Sequence, residues 1–539
     1  MLVCALCLSA CGEGDGGNAG DVPDGPEEYV RASLFCDVSF WEYPAWEVEA
    51  GTITGDITER TGLALDVMQP TQDADIQLRL MLLGDELPDI ISVTDSVTIR
   101  QLVSSGKVWR IDEFLEIYKP DSHILRDFPE DVKRELIRRD GAWYAFPSHI
   151  NSADAREQWM TSPYMEQVVQ YNDNNAIIWN RELLERAGLD AESLETQEEV
   201  LAAFEKVKNM EFQVEGEDVI VLLVDGKNFQ DPTLKFLEWT FGAEWVDEDG
   251  NFRDILLQPQ ARNALAFLNL CIRSSYAAPE QLTMETTEIQ ELMQSGRVLC
   301  FIGNVANTAI TYQDWVSTGV ILSPDGSSPV FGKSMRATVG WISTFIARDC
   351  AHPEETAAFL DYMTGGEGMA LWNYGREGTD YYVGEDGCYH RMQGKASEEP
   401  EGLGIWWMFC NSAWARSVQE ISEVALRRYE IETAYGMHPA TVTYDSSLLL
   451  LPSDLIPTES AEGRIEKVVA EWKDSQIVKE VLAESEKDFE REYGILIQGL
   501  YERGIARLDE RRDDGYQENC REYGSRIRKV NRTEGAPQG

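Results

Sequence analysis

Three observations predict an α/β fold of more than one domain. Short aliphatic runs alternate with amphipathic helical runs from Ala32 to Phe114. The stretch Leu78–Asp95, LRLMLLGDELPDIISVTD, compresses a helix end, a break and a buried strand into one segment. The chain of 539 residues is too long for one ordinary core, and 43% hydrophobic with 10% aromatic content supplies ample packing material.

Each element has its own signal. Gly12–Glu28 is Gly- and Asp-rich with almost nothing apolar, as expected of a flexible tether. Ala32–Phe40 reads as the first strand, followed by a loop with Trp41, Tyr43 and Trp46. Ile53–Thr61 reads as a helix stopped by Gly62, and Leu63–Met68 as the second strand. Leu78, Met81 and Leu82 fall at helical spacing, Gly84 stops that helix, and Pro88 cannot continue it. Ile90, Ile91 and Val93 are β-branched and bounded by turn formers, so they read as a core strand. A helix around Ile99–Val103 ends at Gly106, and Trp109–Phe114 follows. This alternation predicts a mostly parallel sheet with helices on its faces.

Further along, Ile177 and Ile178 are strand-like, Asn180 is a good N-cap and Gly188 a C-terminal stop. Thr196 with Glu199 forms a capping-box pattern opening a helix to Lys208. A helix is expected over Ala261–Arg273, a helix end and buried strand over Gln294–Asn304, a strand over Thr338–Ile346, a helix over Thr356–Met363 and a long helix over Ala415–Ala434. The tail Asn531–Gly539 reads as disordered.

The formal net charge of -48 argues against nucleic-acid binding, which needs clustered Lys and Arg. Most such charge is a solvated surface. Cys4, Cys7 and Cys11 lie in an apolar leader, and the other seven cysteines are scattered without CxxC pairs. With five His and no HExxH, no metal or cofactor site is expected. Seven cysteines exclude a complete intramolecular disulfide set, so several read as buried free thiols. No G-x-S-x-G, P-loop or GxGxxG is present, and among 95 acidic residues no carboxylate pair stands out for glycoside hydrolysis. No catalytic residue is assigned.

Several segments together resemble one family. A helix ends in Gly84-Asp85 and is followed by Leu87-Pro88-Asp89 and an aliphatic strand. DGAWYAFPS at 140–148 matches Asp-Gly-x-x-Tyr-x-x-Pro. NAIIWNRELLERAGLD at 175–190 is a strand, an aromatic-Asn step and a helix. The loop 374–381 reads Tyr-Gly-Arg-Glu-Gly-Thr-Asp-Tyr. Phe241-Gly242, Asp249–Phe252, Gln294–Asn304 and the closing segments around Leu496–Gly499 and Gly515–Gln517 follow in order. The sequence resembles the extracellular solute-binding lipoproteins of ABC importers, in their sugar-binding branch. At the start, Leu8-Ser9-Ala10-Cys11-Gly12 resembles a lipobox, which implies cleavage before Cys11 and lipidation there. No Lys or Arg precedes the apolar run, so either the true start lies upstream of Met1 or Cys11 is unprocessed.

The resemblance implies a type II periplasmic-binding-protein-like fold, two α/β lobes with a ligand cleft and interleaved chain crossings. The expected division is leader 1–11, tether 12–28, first lobe 29–147 and 339–372, second lobe 148–338 and 373–530, and tail 531–539. The implied function is capture of a sugar or oligosaccharide by cleft closure, with delivery to a permease and its ATPase. The chain would be a monomer, lipid-anchored at the extracellular face of the bacterial cytoplasmic membrane. A peptide or other polar solute, a surface-anchored carbohydrate-active enzyme and an adhesin remain as alternatives.

Sugars need aromatic faces for the ring and planar polar groups for the hydroxyls. Candidate ligand-binding residues are Trp41, Thr94, Asp95, Trp179, Asn180, Trp245, Asn304, Trp341, Glu377, Tyr381 and Trp406. Each has a second reading. A Trp is more often core than platform, although Trp41 and Trp179 each directly follow a predicted strand. Asp95 could equally cap the next helix, Asn304 likewise, and Glu377 could merely hold its Gly-flanked loop. Arg376 is either a partner for an acidic sugar or a surface residue.

Overall fold

The protein is described by a computed structural model that covers residues 28–38, 45–68, 70, 73–84, 86–160, 162–334, 337, 340–392, 406–452, 454–523 and 530–531, with 406–407 and 530–531 as backbone only. Trp41 and Cys11 lie outside the described residues.

A five-stranded sheet organises the first half. Its order is Leu63–Met68, Val30–Cys36, Ile90–Val93, Ser343–Ile346, Phe146–Pro147. The first three strands are parallel, with Val30 opposite Leu63 and Leu34 opposite Ile90. Ser343–Ile346 enters antiparallel, Ser343 opposite Val93, and pairs on its far side with Phe146–Pro147. The strands are buried on both faces, as expected for strands covered by helices. Leu34, Ile90 and Ile346 enter one core with Phe114, Trp143 and Phe359, and Phe35, Ile91 and Phe345 enter the other with Leu78 and Leu102. The helix Ile53–Thr61 ends at Gly62, whose φ is 73°.

A four-stranded sheet organises the second body in the order Trp315–Ser317, Asn175–Asn180, Val298–Asn304, Ile220–Val224. Asn175–Asn180 runs antiparallel to Val298–Asn304, with Asn175 opposite Asn304, while Ile220–Val224 runs parallel to it. Ile177, Trp179, Phe204, Leu265 and Ile302 share one core with Val469, Ile477, Leu496 and Leu508 of the C-terminal helices Ala461–Val481, Glu486–Arg503 and Ile505–Tyr523. The capping box of Thr196 and Glu199 is present.

Two expectations are corrected by the packing. The helix expected over Ala415–Ala434 is two helices, Ser412–Val418 and Glu423–Met437. Gln419 is extended and bridges to Tyr389, and the Ser422 side chain caps the second helix by accepting from Ala425 N–H. The expected assignment of 373–530 as a whole to the second lobe does not follow the core. Met408, Phe409 and Ala413 are buried in the first core, where the Phe409 ring lies 5.8 Å from Phe359 and 6.3 Å from Phe146. Tyr381 and Trp414 pack on Met369 and Ala370. All seven cysteines of the described residues are free, and Cys36, Cys271, Cys300 and Cys410 are buried. No described helix is long and apolar enough to cross a membrane.

Candidate functional site

In open α/β sheets, ligands sit off the carboxyl ends of the strands. Here the chain crosses between the two sheets at matching edges. Phe146–Pro147 ends at Ser148 and leads through the helices Ala153–Gln158 and Pro163–Tyr171 to Asn175. Val330–Lys333 leads back to Ser343. The two crossings touch: Ser148 N–H donates to Ile342 O at 3.1 Å. A third strand of chain joins them, since Ile150 N–H donates to Cys410 O and Ala413 N–H to Ile150 O. The facing edges are therefore 93–95 and 147–149 on the first sheet, and 172–175, 225 and 304 on the second.

Thr94 and Asp95 lie on this edge, and both are engaged. Thr94 donates its N–H to Asp37 Oδ2 at 2.6 Å and its hydroxyl at 2.9 Å. Burial pushes the Asp37 carboxyl up, and the Thr94 bonds hold it back. Its Oδ1 is buried with no partner among the described residues. Asp95 Oδ2 accepts from Thr98 N–H at 2.6 Å, so the helix-cap reading holds.

On the second sheet, Asn304 N–H donates to Asp225 Oδ2 at 2.7 Å, and Asn304 Oδ1 accepts from Ala306 N–H. Burial raises the Asp225 carboxyl to about 6 against the pull of that Asn304 bond. Trp341 sits on the returning crossing, 42% exposed, with its ring 6.3 Å from that of His149. Among the described candidate Trp side chains it is the exposed one. His149 holds φ 53°, and burial with the nearby Arg416 charge lowers its pKa to about 4, so the ring is neutral.

Other candidates lie elsewhere. Trp179 is fully buried, 5.6 Å from Phe204, and Asn180 caps the following helix through Leu183 N–H. The reason is strand direction: in an antiparallel strand the carboxyl end points away from the crossing edge. Trp245 stacks on Phe252 at 5.7 Å against the second core. Tyr381 is buried and stacked on Tyr389 at 4.9 Å. Glu377 is exposed on its loop, and the neighbouring Arg376 is ion-paired to Asp56 at 2.7 Å. Trp406 opens a short turn to Phe409, and its side chain lies outside the described residues.

Four residues that the sequence reading did not single out belong to this edge: His149, Arg156, Lys333 and Arg416. Lys333 Nζ donates to Asn172 O at 3.1 Å and Asn172 Oδ1 at 3.2 Å. Arg156 bonds Asn151 Oδ1 at 2.8 Å and pairs with Glu166 at 3.2 Å. None of the four carries a local sequence signal, because only the chain crossings bring them to this edge.

The two bodies also meet beside Ser96. A cavity of about 250 Å³ is lined by Ser96, Ile99 and Arg100 on one side and Leu450, Leu455 and Glu466 on the other. Arg100 pairs with Glu466 at 2.9 Å, Arg512 holds the other Glu466 oxygen at 3.0 Å, and Arg138 donates to Asn519 at 2.9 Å. Removing the Arg100 partner with Arg100→Met is expected to enlarge the ligand-free radius of gyration in X-ray scattering. Unfolding stability should change by less than about 1 kcal/mol, since both groups keep solvent contact. An unchanged radius would mean that this pair does not hold the bodies together. Among the described residues no His, Cys, Asp and Glu cluster could hold a metal ion.

No protein-family model matches the chain. A polygalacturonan/rhamnogalacturonan-binding protein, YtcQ of Bacillus subtilis (strain 168), is 20% identical over 414 residues, covering 74% of this chain and 76% of that protein. Among solved structures, the S. pneumoniae ABC-transporter substrate-binding protein FusA in complex with kestose aligns with a TM-score of 0.67 at 14% identity, over 92% of this chain and 100% of that one. The alginate-binding protein AlgQ2 aligns with a TM-score of 0.65 at 12% identity, over 91% and 99%. The family resemblance read from the sequence holds at the level of the whole fold: this chain has the two-lobed architecture of the solute-binding proteins of ABC importers.

Proposed function

We propose that the protein is the solute-binding subunit of an ABC importer and captures an oligosaccharide between its two lobes. The observation that carries this reading is the pair of α/β sheets turned edge to edge across shared crossings, with an exposed Trp341 standing at the seam. An indole offers the apolar face that a sugar ring packs on, and the strand ends on the two sheets offer Asp37 and Asn304 for hydroxyls. Closure of the lobes by a hinge would bury the sugar. The FusA structure holds kestose, and the YtcQ name states a polysaccharide ligand, both of which support a carbohydrate. The role is binding and not catalysis, with transport driven by the partner ATPase. A lipid anchor on Cys11 at the extracellular side of the membrane, and a monomeric state, complete the reading.

Thermal unfolding of residues 28–539 against a panel of oligosaccharides tests it. A ligand that binds only the folded state raises Tm by mass action. One sugar class should raise Tm without being cleaved, and Trp341→Ala should weaken its binding about 3- to 10-fold, the loss of one aromatic face. Cleavage products, or no shift with any sugar, would overturn the proposal.

A further inference from the structure

Three cations meet at the seam, each contributed by a different crossing. Arg156 follows the first, Lys333 precedes the second, and Arg416 ends the helix Ser412–Val418 that packs against Ala153–Gln158. They arrive together in a chain with 95 acidic and 47 basic residues, where a neutralising carboxylate was easily supplied. Arg156 has one, in Glu166. Lys333 donates only to the neutral oxygens of Asn172. Arg416 is half-buried and makes no hydrogen bond or ion pair among the described residues. Glu432, the carboxylate that acts on it, is engaged by Arg428 at 2.6 Å.

A half-buried guanidinium with no carboxylate of its own is partly desolvated and is completed by an anion. The planar fork of Arg matches a carboxylate through two parallel N–H···O bonds, which neutral hydroxyls cannot replace. The position beside the exposed Trp341 and neutral His149 decides which anion fits: an apolar ring face and a carboxylate on the same small unit.

We infer that the ligand is an acidic oligosaccharide, and that Arg416 and Lys333 bind the carboxylate of a uronic-acid unit packed on Trp341. The inference rests on the carbohydrate reading above. The electrostatics agree with it. Burial and the neighbouring Arg416 and Arg156 charges pull the Lys333 pKa down to about 8 against the pull of Asp173, the state expected of a cation group awaiting an anion.

Calorimetric titration of the full chain with galacturonate, mannuronate and guluronate oligomers, each beside its carboxyl-reduced neutral counterpart, tests the assignment. One uronate series should bind on the order of 100-fold tighter than its reduced form. Arg416→Gln should erase most of that preference, and Arg416→Lys should retain part of it. Lys333→Gln repeats the test should Arg416→Gln fail to fold. Equal binding of acidic and reduced oligomers, or a preference untouched by both variants, overturns this inference and leaves the carbohydrate reading standing. No binding of either series, together with no binding of any neutral sugar, overturns both.

Discussion

Gly340→Ala is expected to destabilise the protein by about 3 kcal/mol and to disturb the seam where ligand would sit. Gly340 holds φ +64°, and a Cβ there would lie 1.9 Å from Ser148 O and 2.6 Å from Ser148 C and Oγ. The obstacle is backbone, so rotamer changes cannot relieve it. Ser148 is itself tied to Ile342 in both directions, through its N–H to Ile342 O and through its Oγ, which accepts from Ile342 N–H at 3.2 Å. A methyl group would therefore push the two crossings apart. A left-handed backbone on a non-glycine residue costs about 1 kcal/mol or more, and overpacking adds about 1–3 kcal/mol. Gly378 separates the two terms: its φ is +81°, but nothing lies within 4 Å of its added Cβ. Gly378→Ala should then cost only the backbone term, about 1 kcal/mol. Urea unfolding of the two variants gives the comparison. Equal losses would mean that the crossings are not in tight contact, and the seam would lose its rigid frame.

What the sequence disclosed and what it withheld divide by the range of the interaction. Gly62, Asn180 and the Thr196–Glu199 box were legible because each acts within four residues on the backbone. The strand Ile90–Val93 was legible because burial on two faces demands an aliphatic run. Trp179 was misplaced for a non-local reason. Whether a strand runs with or against its neighbour decides which end meets the other lobe, and Asn175–Asn180 runs against Val298–Asn304. The break between Val418 and Glu423 was hidden by a continuous helical pattern, although Ser422 carried the cap signal. Arg156, Lys333 and Arg416 share no local pattern. Only the three crossings bring them to one place, so nothing in their immediate sequence marks them as a group.

Glu480→Gln is expected to stabilise the protein at neutral pH by on the order of 3 kcal/mol, with no gain in acid. Glu480 is fully buried near the end of the helix Ala461–Val481, and neither carboxyl oxygen has a hydrogen-bond partner among the described residues. Burial raises its pKa to about 8; Arg262 opposes this, while Glu490 and Glu492 add to it. Arg262 is ion-paired to Glu490, which weakens its help. The sign follows from proton binding. An unfolded Glu releases its proton near 4.5, whereas the folded one keeps it to about 8. Between those values the folded state binds more protons, so rising pH drains stability across this window and levels off above it. Glutamine has nearly the same shape and no proton to lose, so it removes the drain. The backbone nearby is independently anchored, since Asn269 Nδ2 donates to Glu480 O, Val481 O and Ala483 O at 3.3, 3.0 and 2.8 Å, so the helix end should keep its place in the variant. The difference in unfolding free energy between variant and parent should be near zero at the acid end, grow through neutral pH and become flat above about pH 8. A difference that does not vary with pH would show that Glu480 is ionised in the folded protein, and that a counter-charge reaches it through local opening of the C-terminal helices.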